Sequence, residues 1–152
     1  MANFVHRLVT AQRLPIVGRM AREVLALYGI EFPKEVQFGQ RLNLVHRAFG
    51  VVINPKTKLG TNVTIYHGVT IARADSWVPL GSRPFLGVEI GDHAVLCPGS
   101  KILAPTGELL RVGAGTVIAA NSVLTRSTGQ WEVWAGSPAR KISDRLDRAG
   151  VE

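Results

Sequence analysis

The stretch INPKTKLGTNVTIYHGVTI, residues 53–71, keeps a six-residue beat. Its aliphatic anchors are Ile53, Leu59, Ile65 and Ile71. The same beat returns at Ile90, Leu96 and Ile102, and at Val112, Ile118 and Leu124. The residue after the anchor is often Gly or Ala: Gly60, Gly91, Gly113, Ala119. Four positions after the anchor stands a small or β-branched residue: Thr57, Val63, Val69, Ala94, Ser100, Thr116, Ser122. A fixed short period decides architecture before any local propensity does. A lone amphipathic helix wants apolar residues at 3.6 spacing. A sandwich wants period-two alternation and turns at roughly 8–12-residue spacing. Period six fits neither. It fits a parallel β-solenoid, with anchors and small residues pointing inward and tight turns at the corners.

Outward from this stretch the pattern weakens and breaks. A prelude sits at Phe32, Phe38 and Leu44. Residues 3–28 are expected to form two short helices. In the second, Ile16, Val17, Met20, Val24, Leu25 and Leu27 leave Arg19, Arg22 and Glu23 on a polar side, with Pro15 near its start and Gly29 as its stop. Three breaks interrupt the beat. A three-residue excess spans His46-Arg47-Ala48-Phe49-Gly50. A long break runs from Ala72 to Val88 with Arg73, Asp75, Trp77, Arg83 and Pro84. A third lies near Pro105-Thr106-Gly107-Glu108. Loops held by a rigid scaffold are where binding groups collect. The expected division is 1–29 as an N-terminal helical segment, 30–142 as the β-helix, and 143–152 as a charged tail, a short helix or a frayed end.

The chain of 152 residues is one domain by length, and 46% hydrophobic content is enough for a core. No apolar run reaches the roughly 18 residues of a membrane span. No signal-peptide pattern opens the chain, so the expected location is cytoplasmic. A single cysteine, Cys97, excludes an intrachain disulfide framework. The net charge of +7 favours anionic partners. No basic block with interleaved aromatics appears, so a phosphorylated cofactor accounts for the charge as well as nucleic acid does, and a basic surface remains a third account.

With these residues in view, the chain resembles the hexapeptide-repeat acyltransferases, closest to the serine O-acetyltransferase group and its polysaccharide-modifying relatives. The likeness rests on Gly29-Ile30-Glu31-Phe32, on His46 to Gly50-Val51-Val52, on residues 63–71, on the coils from Ile90 to Leu124, and on Ala135-Gly136-Ser137-Pro138-Ala139-Arg140. It covers residues 25–142. The resemblance implies a left-handed parallel β-helix with three hexapeptides per coil, a homotrimer, acetyl-CoA in a groove between subunits, and a histidine that deprotonates the acceptor hydroxyl. It implies no metal and no covalent acyl-enzyme. The scheme is physically sound: imidazole titrates near neutrality, and a thioester is already an activated acyl donor.

Carried onto this chain, His46 is the general base. Counted forward from Gly29 it falls on the family's catalytic histidine; counted backward from Gly50, Arg47 would fall there, and arginine is no base at neutral pH. Val45 stands where the family has an aspartate before that histidine. Arg83, in Ser82-Arg83-Pro84, stands where the family has a second histidine. His67, Arg83 and Asp75 are the acceptor-binding candidates. Ala72, Arg73, Pro98, Ala120, Arg140 and Lys141 are the acetyl-CoA candidates, Arg140 and Lys141 for phosphate. Trp77 either lids the pocket or packs on a neighbour. His93 and His6 are expected to be solvated. The expected function is acetyl-CoA-dependent O-acetyl transfer to a small hydroxyl acceptor, L-serine or a sugar. The competing class is a non-catalytic β-helix protein that keeps the scaffold. A zinc-binding relative fits less well, because His46, His67 and His93 are spaced by more than one coil.

Overall fold

The computed structural model describes residues 4–81 and 83–146. Two helices open it, α1 (Phe4–Ala11) and α2 (Gly18–Leu27). Fourteen short strands follow. The first three are β1 (Gln37–Phe38), β2 (Asn43–Leu44) and β3 (Val52–Ile53); the next three are β4 (Thr57–Leu59), β5 (Thr64–Ile65) and β6 (Thr70–Arg73). Then come β7 (Gly87–Ile90), β8 (Val95–Leu96), β9 (Lys101–Ala104), β10 (Leu109–Val112), β11 (Val117–Ile118) and β12 (Val123–Leu124). A hairpin of β13 (Glu132–Gly136) and β14 (Ala139–Asp144) ends the series.

Strands sort by threes into the faces of a triangular prism. The first face is β1-β4-β7-β10, the second β2-β5-β8-β11-β13-β14, and the third β3-β6-β9-β12. All pairs are parallel except β13 with β14. This is the left-handed parallel β-helix that the beat and the resemblance predict. The anchors stack in register: Ile53 beside Ile71 beside Ile102 beside Leu124, and Leu44 beside Ile65 beside Leu96 beside Ile118. Every one of them is buried, and so are the small residues Thr57, Ser100, Thr116 and Ser122. Burial of these columns supplies the apolar driving force, about 25 cal/mol per Å² of apolar surface removed from water. The long break between β6 and β7 and the shorter one between β9 and β10 leave at the edge joining the third face to the first, so the register beneath them is undisturbed.

The N-terminal segment corrects one expectation. The helix is there, and Gly29 ends it with a positive φ of 64° while its N–H reaches Ala26. It begins at Gly18, three residues after Pro15, which lies in the preceding turn near its start as expected. The face that packs is Gly18, Ala21 and Leu25. Of the expected apolar set only Leu25 is fully buried; Ile16, Met20 and Leu27 are exposed. Gly18 lies so close to Gln12 that a Cβ there would meet the Gln12 carbonyl. Close approach selects that stripe over the bulkier one. The tail is also corrected: Ser143 and Asp144 finish β14 as strand, neither helix nor frayed end. Residues 147–152 of that expected tail lie outside the described residues, as do residues 1–3 and Ser82.

Candidate active site

One turn per coil carries the chain from the second face to the third. These turns stack Gly29, Gly50, Gly68 and Gly99 at φ between 64° and 69°, with Asn121 at 55° closing the column. A Cβ added to Gly29, Gly50 or Gly68 would lie 3.5–3.8 Å from the Cα of the glycine in the next coil, which is ordinary contact. At those three positions the turn is bare backbone although its own packing leaves room for a methyl group; at Gly99 a Cβ would meet the Asn121 amide. Each turn is tied to the one above by a backbone bond: Gly50 N–H to Tyr28, Gly68 N–H to Phe49, Gly99 N–H to His67, Asn121 N–H to Pro98.

His46 lies on this edge. The three-residue excess is taken up in a one-turn 3-10 segment of four residues, Val45–Ala48, in which His46, Arg47 and Ala48 all have positive φ, at 51°, 57° and 53°. Left-handed backbone is unfavourable by roughly 1–2 kcal/mol per non-glycine residue, and such strain concentrates at functional sites. The turn holds Ala48 in the core and projects His46 and Arg47 into solvent. The His46 ring meets two neighbours from the next coil: Tyr66 at 5.9 Å between centroids, and His67 edge-on at 5.5 Å. The candidate base and its runner-up thus form one cluster. Pro98 and Ala120 stand further along the same edge, in the turns after β8 and β11. The Pro98 carbonyl already accepts the Asn121 N–H.

Two side chains on this edge escaped the sequence analysis. Tyr66 forms the wall against which His46 rests. Lys101 Nζ donates to the Gly68 carbonyl at 2.7 Å and so anchors the turn next to His67. A signal was present: Lys101 fills the outward slot before anchor Ile102, which Val52, Thr70 and Val123 fill in the other coils.

The remaining candidates sit elsewhere. Ala72, Arg73, Asp75 and Arg83 belong to the edge where the third face meets the first. There the long loop is clasped onto the third break. Thr106 donates its hydroxyl to Asp75 Oδ1 at 2.7 Å and its N–H to Oδ2 at 3.2 Å. Arg73 Nε approaches the same carboxylate at 3.5 Å and donates to the Val78 carbonyl at 2.7 Å. Gly107 N–H reaches the Pro84 carbonyl, and the stem of Arg83 lies over Gly107. The Thr106 hydroxyl, chiefly, holds the Asp75 carboxyl below its ordinary range, against a smaller opposing effect of burial. A cavity of about 800 Å³ opens under this loop, lined by Lys56, Arg73, Trp77, Val78, Leu80 and Phe85 among others. Neither His46 nor His67 lines it. One face, the six residue steps from His67 to Arg73, separates the two edges, up to about 20 Å of extended chain.

Arg140 and Lys141 lie on β14, which extends the second face. Lys141 is engaged by Glu132 at 3.0 Å and Asp144 at 2.7 Å, and these hydrogen bonds raise its pKa, Asp144 foremost. Burial pushes the half-buried Cys97 thiol up, so it stays protonated at neutral pH. His93 is not the solvated residue expected. It is half-buried, its Nδ1 is 3.0 Å from the Asn62 amide, and its ring stacks on Trp131. His6 is likewise half-buried, edge-on to Phe38. Among the described residues, no group of three His, Cys, Asp or Glu is placed to hold a metal ion, and no helix is long and apolar enough to cross a membrane.

No protein-family profile matches the chain. Curated relatives do. A serine acetyltransferase of Staphylococcus epidermidis is 31% identical over 146 residues, 95% of this chain and 63% of the relative. One of Staphylococcus xylosus is 30% identical over 136 residues, 89% of this chain and 58% of the relative. The chain therefore spans about three fifths of the length of these relatives. Among solved structures, the serine acetyltransferase of Neisseria gonorrhoeae superposes with a TM-score of 0.73 at 26% identity, over 93% of this chain and 54% of that one. A soybean serine acetyltransferase complexed with serine gives 0.70 at 26% identity, over 92% and 58%.

Proposed function

From this likeness to serine acetyltransferases in sequence and fold, we propose that the chain is an acetyl-CoA-dependent O-acetyltransferase acting on a small hydroxyl acceptor. The observation that carries the proposal is the exposed His46, held in a strained left-handed turn on an edge of bare glycine backbone beside Tyr66 and His67. The bare glycine turns at Gly50 and Gly68 would admit a thin, extended donor close to the backbone. Pro98 and Ala120, further along it, are the expected contacts of acetyl-CoA.

In the reaction, His46 takes the acceptor hydroxyl proton as the oxygen attacks the thioester carbonyl. The tetrahedral intermediate then expels CoA as a thiolate, which recovers that proton from the imidazolium. No carboxylate precedes His46 in the chain, since Val45 fills that position. Tyr66 and His67 take over the orienting of the ring in this proposal. The site is completed in a homotrimer, where the long loop of one copy faces the His46 edge of the next. That arrangement reconciles two groups of candidates that one chain keeps a full face apart.

The test is CoA thiol release from acetyl-CoA with L-serine and sugar acceptors, in wild type and His46→Ala. Acceptor-dependent release that drops by about 10²-fold or more in the variant supports the base. Equal turnover in both removes His46 from the role. A second possibility, a binding protein that keeps the scaffold without the chemistry, draws on Val45 and Arg83, which replace two family groups. Acetyl-CoA binding without turnover on any acceptor would select it.

A further inference from the structure

Helix α2 turns its larger apolar side chains away from the fold. Gly18, Ala21 and Leu25, at i, i+3 and i+7, are its buried stripe. Met20, Val24 and Leu27, at i, i+4 and i+7, form a second apolar stripe on another side of the helix. The Gly18 N–H reaches the Leu14 carbonyl, so the helical path starts in the preceding turn. Ile16 and Val17 there precede Met20 by four and three residues, on the same side. Ile16 is 89% exposed, Met20 71% and Leu27 86%, and Leu14 and Val17 are exposed as well. Scattered exposed apolar residues are ordinary; a grouped set marks a contact surface. Charge in this segment is just as one-sided. Residues 4–28 hold four arginines, Arg7, Arg13, Arg19 and Arg22, against one carboxylate, Glu23. Arg13 is committed to the Val36 carbonyl at 2.7 Å and to the face of Phe38. The other three are exposed, and among the described residues none of them has an ion-pair partner.

We propose that this segment is an interfacial anchor, which lays the Met20–Leu27 stripe of α2 against a bilayer with anionic headgroups and does not span it. The inference is independent of the acyl-transfer proposal. A helix with an apolar stripe flanked by cations lies in the plane of a membrane interface. The stripe enters the acyl boundary, and the cations stay among the headgroup phosphates. At 3.6 residues per turn, Arg19 and Arg22 fall on the flank between the exposed stripe and the buried one, together with Glu23. Arginine suits that place: its stem lies along apolar surface while the guanidinium reaches outward and pairs with phosphate. A second copy of the chain is the competing occupant. A two-fold contact sets the same patch on both sides. Here arginines would face arginines, with one glutamate per copy to receive them, and like charge suppresses pairing. An anionic surface supplies the charge the segment lacks, and the net charge of +7 draws the whole chain the same way.

The experiment is flotation of the full chain with vesicles of phosphatidylcholine mixed with phosphatidylserine, and with vesicles of phosphatidylcholine alone. The floated fraction should be about tenfold or more higher on the anionic vesicles, and should fall severalfold when salt is raised to about 0.5 M. Met20→Ser combined with Leu27→Ser should lower flotation about tenfold or more, with melting temperature and mass in solution unchanged, since both side chains are exposed. Arg19→Gln combined with Arg22→Gln should weaken flotation on the anionic vesicles by a similar factor. Absence of flotation on anionic vesicles overturns the inference. So does flotation indifferent to the Met20 and Leu27 changes, because the basic surface alone would then carry it. A drop in solution mass in that double variant also overturns it, because a second copy would then cover the stripe. None of these readouts depends on turnover, so the acyl-transfer proposal stands or falls separately.

Discussion

Two of the prism's edges repeat the same backbone turn and dress it differently. At the edge that carries His46 the stacked turn positions are Gly29, Gly50, Gly68 and Gly99, with Asn121 ending the column and the left-handed His46, Arg47 and Ala48 looped out beside Gly50. At the edge between the first and second faces they are Arg41, Asn62, His93, Gly115 and Trp131. The same stacking bonds recur there, Asn62 N–H to Gln40, His93 N–H to Thr61, Gly115 N–H to Asp92, and Trp131 N–H to Ala114. The φ values match, so conformation alone does not explain the glycines of the first edge. On the second edge side chains take up the space: Trp131 stacks on His93, Arg145 lies over Trp131 and donates to the His93 and Gly115 carbonyls. A Cβ on Gly115 would strike the Trp131 ring, and one on Gly99 would strike the Asn121 amide, so each edge has a glycine that answers to its own fold, and Gly29, Gly50 and Gly68 are the ones left without such a reason. The difference, at Gly29, Gly50 and Gly68, is what supports the proposal that this edge receives the acyl donor.

The sharpest way to break the comparison is to remove one histidine from each edge. His46→Ala should lower kcat by about 10²–10⁴-fold with little change in Tm. His93→Ala should do the reverse, leaving kcat within about twofold and lowering the melting temperature. Equal activity losses would mean that the edges are not functionally distinct. Next comes a methyl group on each edge. Gly68→Ala adds about 1–2 kcal/mol of backbone strain and places a Cβ where the donor is proposed to lie. The acetyl-CoA KM should rise about tenfold, read by initial rates. Asn62→Ala should destabilise by a similar amount in urea unfolding, with the KM unchanged.

A smaller effect concerns the covered edge alone. Arg145→Ala removes two bonds to backbone carbonyls and the contact with Trp131, and should lower unfolding free energy by about 1–3 kcal/mol without touching kcat. The smallest effect is in the clasp of the long loop. Asp75 is held below the ordinary carboxylate range, so the clasp contributes fully above about pH 4 and loosens as pH falls through the lower folded value. Thr106→Ala removes the main cause of that depression. Limited proteolysis of the loop should then begin at higher pH than in wild type, and an unchanged pH profile would show that Thr106 is not what holds Asp75.

The repeat was legible because it is a burial pattern: Ile53, Leu59, Ile65 and Ile71 mark three faces in turn, and no other period satisfies them. His46 was legible as an interruption, since three residues too many between two anchors must leave the coil. What one chain's sequence conceals is lateral placement. Nothing in the spacing of His46 and His67 says that their rings meet, because the excess at the first break and the turn direction set that contact together. Lys101 was hidden for a similar reason, its partner being a backbone carbonyl in the previous coil. Asp75 was read as a substrate contact, and the spacing gave no sign of its bond to Thr106, a pairing across 31 residues. The packing stripe of α2 was missed because Gly18 and Ala21 pack by close approach, whereas the hydrophobic pattern points to the larger residues.

A stack of parallel coils has two open ends, and an open end is a template for another strand. Here the second face finishes in β14, which runs antiparallel to β13 and carries Arg140, Lys141 and Asp144 exposed. A following parallel coil would meet a strand of the wrong direction and a row of charge. The reversal of one strand therefore acts as a stop against runaway end-to-end polymerisation along that face, and lets a protein built like a fibre remain a particle.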